Sequence, residues 1–221
     1  MQNVLLILIN ILITFSLVVL IEKIFKKEGL YVWSSVALIT ANILECQTVG
    51  LFHGFTATCG NVLFASVFLA TDIMNEKYGA EYSKKAIRLA VFTMIAFTIV
   101  MQIGLLFKPD VTDMAHDAMK TLFSLNLRIT ISSVIMFYIS NNLDIFLFEK
   151  IKKKLPDKLW VRNNVATIVS NVLENYFFIF LAFVGIYDIK TMLNIATTIS
   201  VIEIVIAVCD TPFIYLSKKL N

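Results

Sequence analysis

Acidic, amide and hydroxyl side chains recur inside the long apolar stretches of this 221-residue chain. In the stretch 163–187, Thr167, Ser170, Asn171 and Glu174 stand at positions i, i+3, i+4 and i+7, so a helix would present them as one polar stripe. Carboxylate, amide and hydroxyl groups supply the donors and acceptors that the edge of a small heterocycle needs. The stripe therefore predicts a ligand site, with helix–helix hydrogen bonding as the alternative.

Other charged residues should reach the same depth from neighbouring apolar stretches. At 1.5 Å per residue, Glu174 and Glu203 lie roughly 18 Å inside their spans, and Arg128 and Glu45 lie roughly 10 Å below one surface. Charges exposed to lipid are unfavourable, so these side chains should share a polar cavity. The predicted substrate-binding residues are Asn42, Glu45, Gln47, Arg128, Ser170, Asn171, Glu174 and Glu203. Nearby aromatic rings could stack a planar base or simply pack: Phe137, Tyr138, Phe177, Phe178 and Phe180.

The composition requires that these residues be held by membrane helices. Hydrophobic residues make up 58% of the chain and charged residues only 16%, whereas soluble domains carry about 25% charged residues. Spans of about 20 apolar residues can be placed at 3–22, 30–52, 59–75, 86–107, 121–148, 163–187 and 191–216. The predicted fold class is all-α, a polytopic transmembrane helical bundle.

The distribution of basic residues predicts the orientation in the membrane. Of the 19 Lys and Arg residues, 15 fall in alternate connections and the carboxyl-terminal tail. The positive-inside rule therefore places the amino terminus outside and the carboxyl terminus in the cytoplasm of a cell (inner) membrane protein. The basic runs serve as orientation signals, and no nucleic-acid partner is expected.

Enzyme and cofactor signatures are missing from the sequence. Cys46, Cys59 and Cys209 show no paired spacing, and no nucleotide-binding, zinc-protease or nucleophile-elbow motif occurs. We expect no metal, no cofactor and no catalytic residue. A small-molecule importer is favoured over an intramembrane enzyme or an assembly protein whose polar groups only join helices.

The segment Leu69–Gly79, LATDIMNEKYG, places three polar residues where an apolar run ends. Asp72 and Glu76 stand one turn apart, and they could cap the helix end and bind Lys77 or a basic loop. The spelling also resembles the Asp-Ile-x-x-Glu-x-Tyr-Gly signature of the queuosine precursor transporter family, which is vitamin-uptake-transporter-like.

Three further segments resemble that family in the same order along the chain. Arg128 to Phe148 is similar to its Arg-Ile-x-x-x-Ser segment, and Arg162 to Thr167 to its Arg-Asn-Asn-x-Ser-Thr element. Asp210 to Tyr215 is similar to its closing Asp-Thr-Pro-x-x-Tyr. The residues that the resemblance assigns to structural or gating roles are Asp72, Glu76, Tyr78, Gly79, Asp144, Arg162, Asn163, Asn164, Asp210 and Pro212.

The resemblance implies a six-helix core over residues 30–221, similar to the substrate-binding components of vitamin uptake systems. Residues 1–29 would add an extra amino-terminal helix and a basic loop. It also implies import of a purine-like 7-deazaguanine base for tRNA modification, either alone, as a homo-oligomer or with an energising partner. Another small heterocycle or vitamin is the alternative substrate.

The chain departs from the family pattern at expected substrate contacts. Ser170-Asn171-Val-Leu-Glu174 replaces Ser-Gln-x-x-Asp, and Glu203 and Gln47 stand where the family usually carries Lys. The cavity thereby loses positive charge and gains negative charge. This change favours a more cationic ligand, such as an aminomethyl-bearing deazaguanine or queuine with its secondary amine.

Overall fold

A computed structural model describes the backbone of residues 2–50, 56–123 and 127–220, and their side chains except those of 56–57 and 127–130. Within these ranges, seven helices and one antiparallel β-hairpin form. The elements are α1 (Gln2–Leu44), β1 (Thr48–Gly50), β2 (Thr56–Thr58), α2 (Asn61–Lys77), α3 (Ala80–Gly104), α4 (His116–Phe123), α5 (Leu127–Lys154), α6 (Leu159–Phe183) and α7 (Ile189–Lys219). Helices α1, α3, α5, α6 and α7 are long and apolar enough to cross a membrane. The predicted all-α membrane bundle is confirmed.

Helix α1 contains the first two predicted spans and reverses direction between them. Lys26 has φ 55° and ψ −141°, outside the helical region. The Asn3 amide donates a 2.7 Å hydrogen bond to the Gly50 carbonyl, although a straight helix would separate these positions by about 70 Å. Residues 2–25 and 27–44 are therefore two antiparallel helices joined at Lys26.

The predicted span 30–52 is wrong at its far end. The helix stops at Leu44, and the β-hairpin begins at Thr48. Thr and Val are β-branched and favour strands, which explains why the apolar run leaves the helix here. Gln47, predicted on a helix, instead lies exposed in the turn, where its carbonyl accepts a 2.9 Å hydrogen bond from the Cys59 amide. The remaining predicted spans match α2, α3, α5, α6 and α7 within six residues at each end.

Helix α2 lies at the centre of the bundle. It packs against α1, α3, α5 and α7, and 13 of its 17 residues are buried. Leu69 and Ile73 of α2 pack with Val18 and Phe148 in the main hydrophobic cluster. Protein surrounds α2 on most sides, so polar residues on it meet other helices and are kept away from lipid.

The two ends of the bundle differ in character. Four segments meet at one end, which we call the basic end. They are the reversal in α1, the α2–α3 turn, the α5–α6 connection and the carboxyl terminus. Ion pairs of Glu76 with Arg162 and Lys218, and of Glu22 with Lys77, join these segments. At the opposite hairpin end lie the β-hairpin and α4. The alternation of basic and non-basic connections predicted from the sequence therefore matches the way the chain folds.

The start of α7 lies at the hairpin end and is capped by Asp188. Its carboxylate accepts hydrogen bonds from the hydroxyl group and the backbone N–H of Thr191, at 2.5 and 3.1 Å. These hydrogen bonds hold the pKa of Asp188 below its ordinary value. An ionised cap is favourable here because the amino-terminal end of a helix carries partial positive charge.

Gly79 forms the tight turn between α2 and α3, with φ 101° and ψ 161°. Residues with a side chain rarely adopt this conformation, so Gly79→Ala should lower the free energy of unfolding by about 1–3 kcal/mol. Thermal melting of the detergent-purified protein measures the change. Gly104→Ala is the matched control, because Gly104 is helical and a Cβ there meets no atom within 4 Å. Equal melting shifts for the two variants would contradict this role for Gly79.

Candidate functional site

Two acidic side chains lie between α5, α6 and α7, where a layer of polar residues crosses the apolar interior. The Ser140 hydroxyl donates a 2.5 Å hydrogen bond to Glu174, and the Asn175 amide donates a 2.6 Å hydrogen bond to Glu203. Glu174 is buried and Glu203 is half-buried. We call this set the polar layer; its members are Ser140, Ser170, Asn171, Glu174, Asn175 and Glu203.

Several buried polar atoms of this region have no hydrogen-bond partner in the described part of the chain. They include the Ser170 hydroxyl and the amide oxygens of Asn141 and Asn171. All three side chains are buried. Because a buried polar group without a partner is unfavourable, such atoms point to a bound polar molecule or water.

The polar layer contains two acidic residues, Glu174 and Glu203, without a basic partner among the described side chains. The ion pairs of the described structure involve Glu22, Glu76 and Glu81. None of them includes Glu174 or Glu203. Among the described residues, only neutral donors reach these two carboxylates. A carboxylate within a membrane bundle is costly unless it is protonated or meets a cation. The layer is therefore suited to a ligand with N–H donors or a positive charge.

The predicted substrate residues do not all meet. Ser170, Asn171, Glu174 and Glu203 contribute to the polar layer as listed above. Asn42 instead donates a 2.9 Å hydrogen bond to Leu38 of its own helix. It lines a separate apolar cleft together with Met94, Phe97 and Gln102. The structure does not bring Asn42 and Gln47 to Glu174, because Asn42 faces this cleft and Gln47 is exposed; their role in substrate binding stays a prediction. The Arg128 side chain lies outside the described residues.

Glu45 is held at the junction of α1 and α2. A Cβ added at Gly60 would lie 2.5 Å from the Ala41 carbonyl oxygen and 2.7 Å from a Glu45 carboxylate oxygen. The start of α2 can approach the end of α1 this closely only because residue 60 has no side chain. Glu45 thus faces the first turn of α2 at the hairpin end.

Sequence reasoning missed Ser140 and Asn175, which bind the two acidic residues. Asn175 follows Asn171 at i+4, so the stripe could have been extended by one more residue on that face. Ser140 precedes two asparagines in α5, and only the packing of α5 on α6 brings it to Glu174. The polar layer therefore depends on a register between helices that a single sequence does not specify.

A second group of polar residues lies closer to the basic end. Asp72 and Asp144 are both buried, and the Thr167 hydroxyl lies 3.3 Å from a carboxylate oxygen of the first and 3.1 Å from one of the second. Asn163 donates to the buried Asp210, and Asn164 donates a 2.6 Å hydrogen bond to Thr211. These contacts join α2, α5, α6 and α7, as expected for the residues assigned to structural or gating roles. Pro212 follows within α7; it has no N–H and leaves one helix carbonyl without its usual donor.

Two networks close the basic end. Glu76 accepts from Arg162 at 2.7 Å and from Lys218 at 2.9 Å, and Lys152 lies at 3.3 Å. Arg162 is only 1% exposed; it also donates a 2.6 Å hydrogen bond to the Pro156 carbonyl. One carboxylate thus joins α2 to α5, α6 and α7.

The second network involves the amino-terminal helix. Buried Glu22 accepts from Lys77 at 2.7 Å, from the Tyr78 hydroxyl at 2.8 Å and from Ser217 at 3.3 Å. Lys77 therefore pairs with Glu22 and not with Asp72 or Glu76, whereas Glu76 binds basic residues of other connections, which was the second part of that sequence alternative. The amino-terminal helix is therefore joined to α2 through a buried ion pair and to α7 through a hydrogen bond.

The candidate aromatic residues fall into two groups. Tyr138, Phe177 and Phe180 are 40–56% exposed on the outer surface of the bundle, as expected for lipid-facing rings. Phe137 is buried and packs edge-on against Phe64, with ring centroids 5.4 Å apart. Phe178 is partly buried one turn beyond Glu174. Phe137 and Phe178 are thus the rings that remain available near the polar layer.

The fold and the site define the class of this protein as a polytopic membrane transport protein. Its helices are long and apolar enough to cross a membrane, a buried polar layer lies between them, and ion pairs close one end of the bundle. A sequence profile of the family described as "Putative vitamin uptake transporter" matches residues 58–217, and the chain belongs to this family. The chain is also 37% identical over 211 residues to a Bacillus subtilis (strain 168) protein described as "Probable queuosine precursor transporter". That similarity covers 95% of this chain and 92% of the relative. No solved structure gives a significant match.

Proposed function

We propose that this protein imports a queuosine precursor, a 7-deazaguanine base, across the cell membrane for tRNA modification. The polar layer between α5, α6 and α7 carries the proposal, because it combines buried carboxylates with hydrogen-bonding atoms that lack partners in the described residues. The Bacillus subtilis relative supports the choice of substrate, since its description names a queuosine precursor.

The hydrogen-bonding groups of the polar layer suit the edge of such a base. A carboxylate can accept two N–H bonds from the amidine face of a guanine-like ring, and Glu174 is placed to do so. The Ser170 hydroxyl can donate or accept and the Asn171 amide oxygen can accept hydrogen bonds at the other polar atoms of the base, since neither has a partner among the described residues. Phe137 and Phe178 offer aromatic faces at the edge of the layer.

The net charge of the layer favours a cationic base over a neutral one. Glu174 and Glu203 receive hydrogen bonds only from neutral groups in the described structure. A primary or secondary amine on the ligand would supply the missing positive charge and a charge-assisted hydrogen bond. We therefore favour an aminomethyl-bearing deazaguanine, or queuine with its secondary amine, over an uncharged deazaguanine.

The basic end is the proposed cytoplasmic end. It contains most of the Lys and Arg residues in the connections, which the positive-inside rule assigns to the cytoplasm. The networks of Glu76 and Glu22 close this end, so import requires that they open. In this arrangement, residues 30–221 form the carrier core, and residues 1–29 add a helix fixed to it through Glu22.

Complementation tests the function and names the ligand. A bacterium that lacks both deazaguanine synthesis and its own carrier should recover queuosine in its tRNA when it expresses this chain and receives one base at nanomolar concentration. Recovery should be strongest with an amine-bearing base, because its positive charge would complement Glu174 and Glu203, which have only neutral partners among the described residues. Mass spectrometry of tRNA nucleosides is the measurement, and the empty vector is the control. Absence of recovery with every base, despite protein in the membrane, would overturn the proposal.

A further inference from the structure

Asp72 and Asp144 form a pair of acids that the proposed substrate contacts leave unused. They project from α2 and α5, are fully buried, and both lie against the hydroxyl group of Thr167 on α6. The Thr167 hydroxyl lies within 3.3 Å of both but has a single hydrogen to donate. Two ionised carboxylates in contact repel, whereas a pair that holds one proton forms a strong hydrogen bond.

No basic side chain in the described structure neutralises this pair. Arg162 is the nearest basic residue on α6, and it binds Glu76 and the Pro156 carbonyl. On α7 the pair faces a third acid, Asp210, and on α1 the buried Glu22 is already paired with Lys77. Helix α3 contributes only the Ser83 hydroxyl, bound to the Thr71 carbonyl, and its charged residues at this end are exposed: Glu81, Lys84, Lys85 and Arg88.

Arg128 is the one Lys or Arg residue whose side chain the structure does not describe. It stands 16 residues before Asp144 on α5, a distance of about 24 Å along the helix. Residues 51–57 contain no Lys or Arg. The negative charge of the pair must therefore be reduced by a small cation.

Unpartnered polar atoms on the same helix faces indicate that the site takes a ligand. One carboxylate oxygen of Asp72 and one of Asp144 have no partner among the described residues. Asn75 lies one turn from Asp72 on the same face of α2; it is fully buried, and neither end of its amide is bonded there. Ser170 lies one turn beyond Thr167 on α6, and its hydroxyl is equally unbonded in the described structure. These groups can hold a proton or pass it toward the polar layer.

We propose that Asp72 and Asp144 share one proton and that binding and release of this proton drive base import, a coupling that rests on the proposed function. A proton suits this pair better than a metal cation, because the two acids share one hydroxyl group and the described residues contain no group of three or more acidic, His or Cys side chains placed to hold a metal. Thr167 contacts the pair from α6, and Glu174 follows seven residues later on that helix, about 10 Å away. Movement of α6 on protonation would thus reach both sites together.

Infrared difference spectroscopy tests the shared proton without any substrate. The purified wild-type protein at neutral pH should show the C=O stretch of a protonated carboxyl group, which disappears as the pH is raised. Asp144→Asn and Asp72→Asn should each remove this band, whereas the matched variant Asp157→Asn, at an exposed acid of the α5–α6 connection, should keep it. A wild-type spectrum without the band would overturn the proposal. Loss of the band on addition of Na⁺ would overturn it as well and indicate a sodium site.

Transport in proteoliposomes tests the coupling. With the membrane potential clamped at zero, an inward gradient of one pH unit should support about tenfold accumulation of base at one proton per molecule. Asp144→Asn should lose this accumulation but retain exchange of labelled for unlabelled base. Exchange by the wild type that does not respond to the pH gradient would overturn the coupling while leaving import intact. No exchange of any base would overturn the proposed function, and the infrared band would still decide whether the pair holds a proton.

Discussion

Glu174→Gln should lower uptake of an amine-bearing base roughly ten- to a hundredfold at equal protein abundance. The substitution removes the charge but keeps the length of the side chain, so it exchanges a charge-assisted contact with the ligand for a neutral one. Hydrogen bonds to charged groups contribute about 1.5–3 kcal/mol, and about 1.4 kcal/mol corresponds to a tenfold change in affinity. Initial uptake rates at several base concentrations, with membrane abundance measured by immunoblot, provide the test.

Three companion variants separate a substrate role from a structural one. Glu174→Asp keeps the charge and should retain part of the uptake. Glu203→Gln should reduce uptake of the cationic base more than uptake of a neutral base, because Glu203 is bound only by the neutral Asn175 in the described structure. Glu28→Gln removes an exposed carboxylate and is the matched control. If Glu174→Gln lowers protein abundance and uptake in parallel, Glu174 is a packing residue.

The helices could be predicted from the sequence because each consists of a long apolar run between clusters of charge. The reversal at Lys26 could be placed only approximately, since Lys23, Lys26 and Lys27 mark a connection without specifying the residue that leaves the helix. The hairpin after Leu44 was missed because its apolar residues continue the hydropathy of the preceding helix. Hydropathy reports burial in lipid or protein and does not distinguish the last turns of a helix from a buried turn.

The candidate site could be predicted only where its residues lie on one helix. The stripe from Thr167 to Glu174 follows from helical spacing and is present in α6. The contacts of Ser140 with Glu174 and of Asn175 with Glu203 join neighbouring helices and depend on how each helix is rotated and shifted. The choice of Glu22 as the partner of Lys77, 55 residues away, is equally a tertiary property. Depth in the membrane narrows the possible partners but does not select among them.

Glu22→Ala should destabilise the protein by about 3–5 kcal/mol, because it leaves the Lys77 ammonium buried without a counter-charge. The Glu22 and Lys77 side chains are 1% and 7% exposed and 2.7 Å apart, so water does not screen the pair as it would at a surface. Lys77→Ala should have a comparable cost for the same reason. Melting temperature in detergent and the yield of monodisperse protein measure both effects.

The double variant and an exposed pair sharpen this prediction. Removing both Glu22 and Lys77 should cost less than the sum of the two single changes, since no isolated charge then remains. The exposed pair of Glu81 and Lys84, 4.0 Å apart on α3, is the matched control, and Glu81→Ala should change stability by less than about 1 kcal/mol. Additive single effects at Glu22 and Lys77 would mean that the two charges act independently. Strong coupling would instead establish that this buried pair holds the amino-terminal helix to α2, and with it the closed arrangement of the basic end.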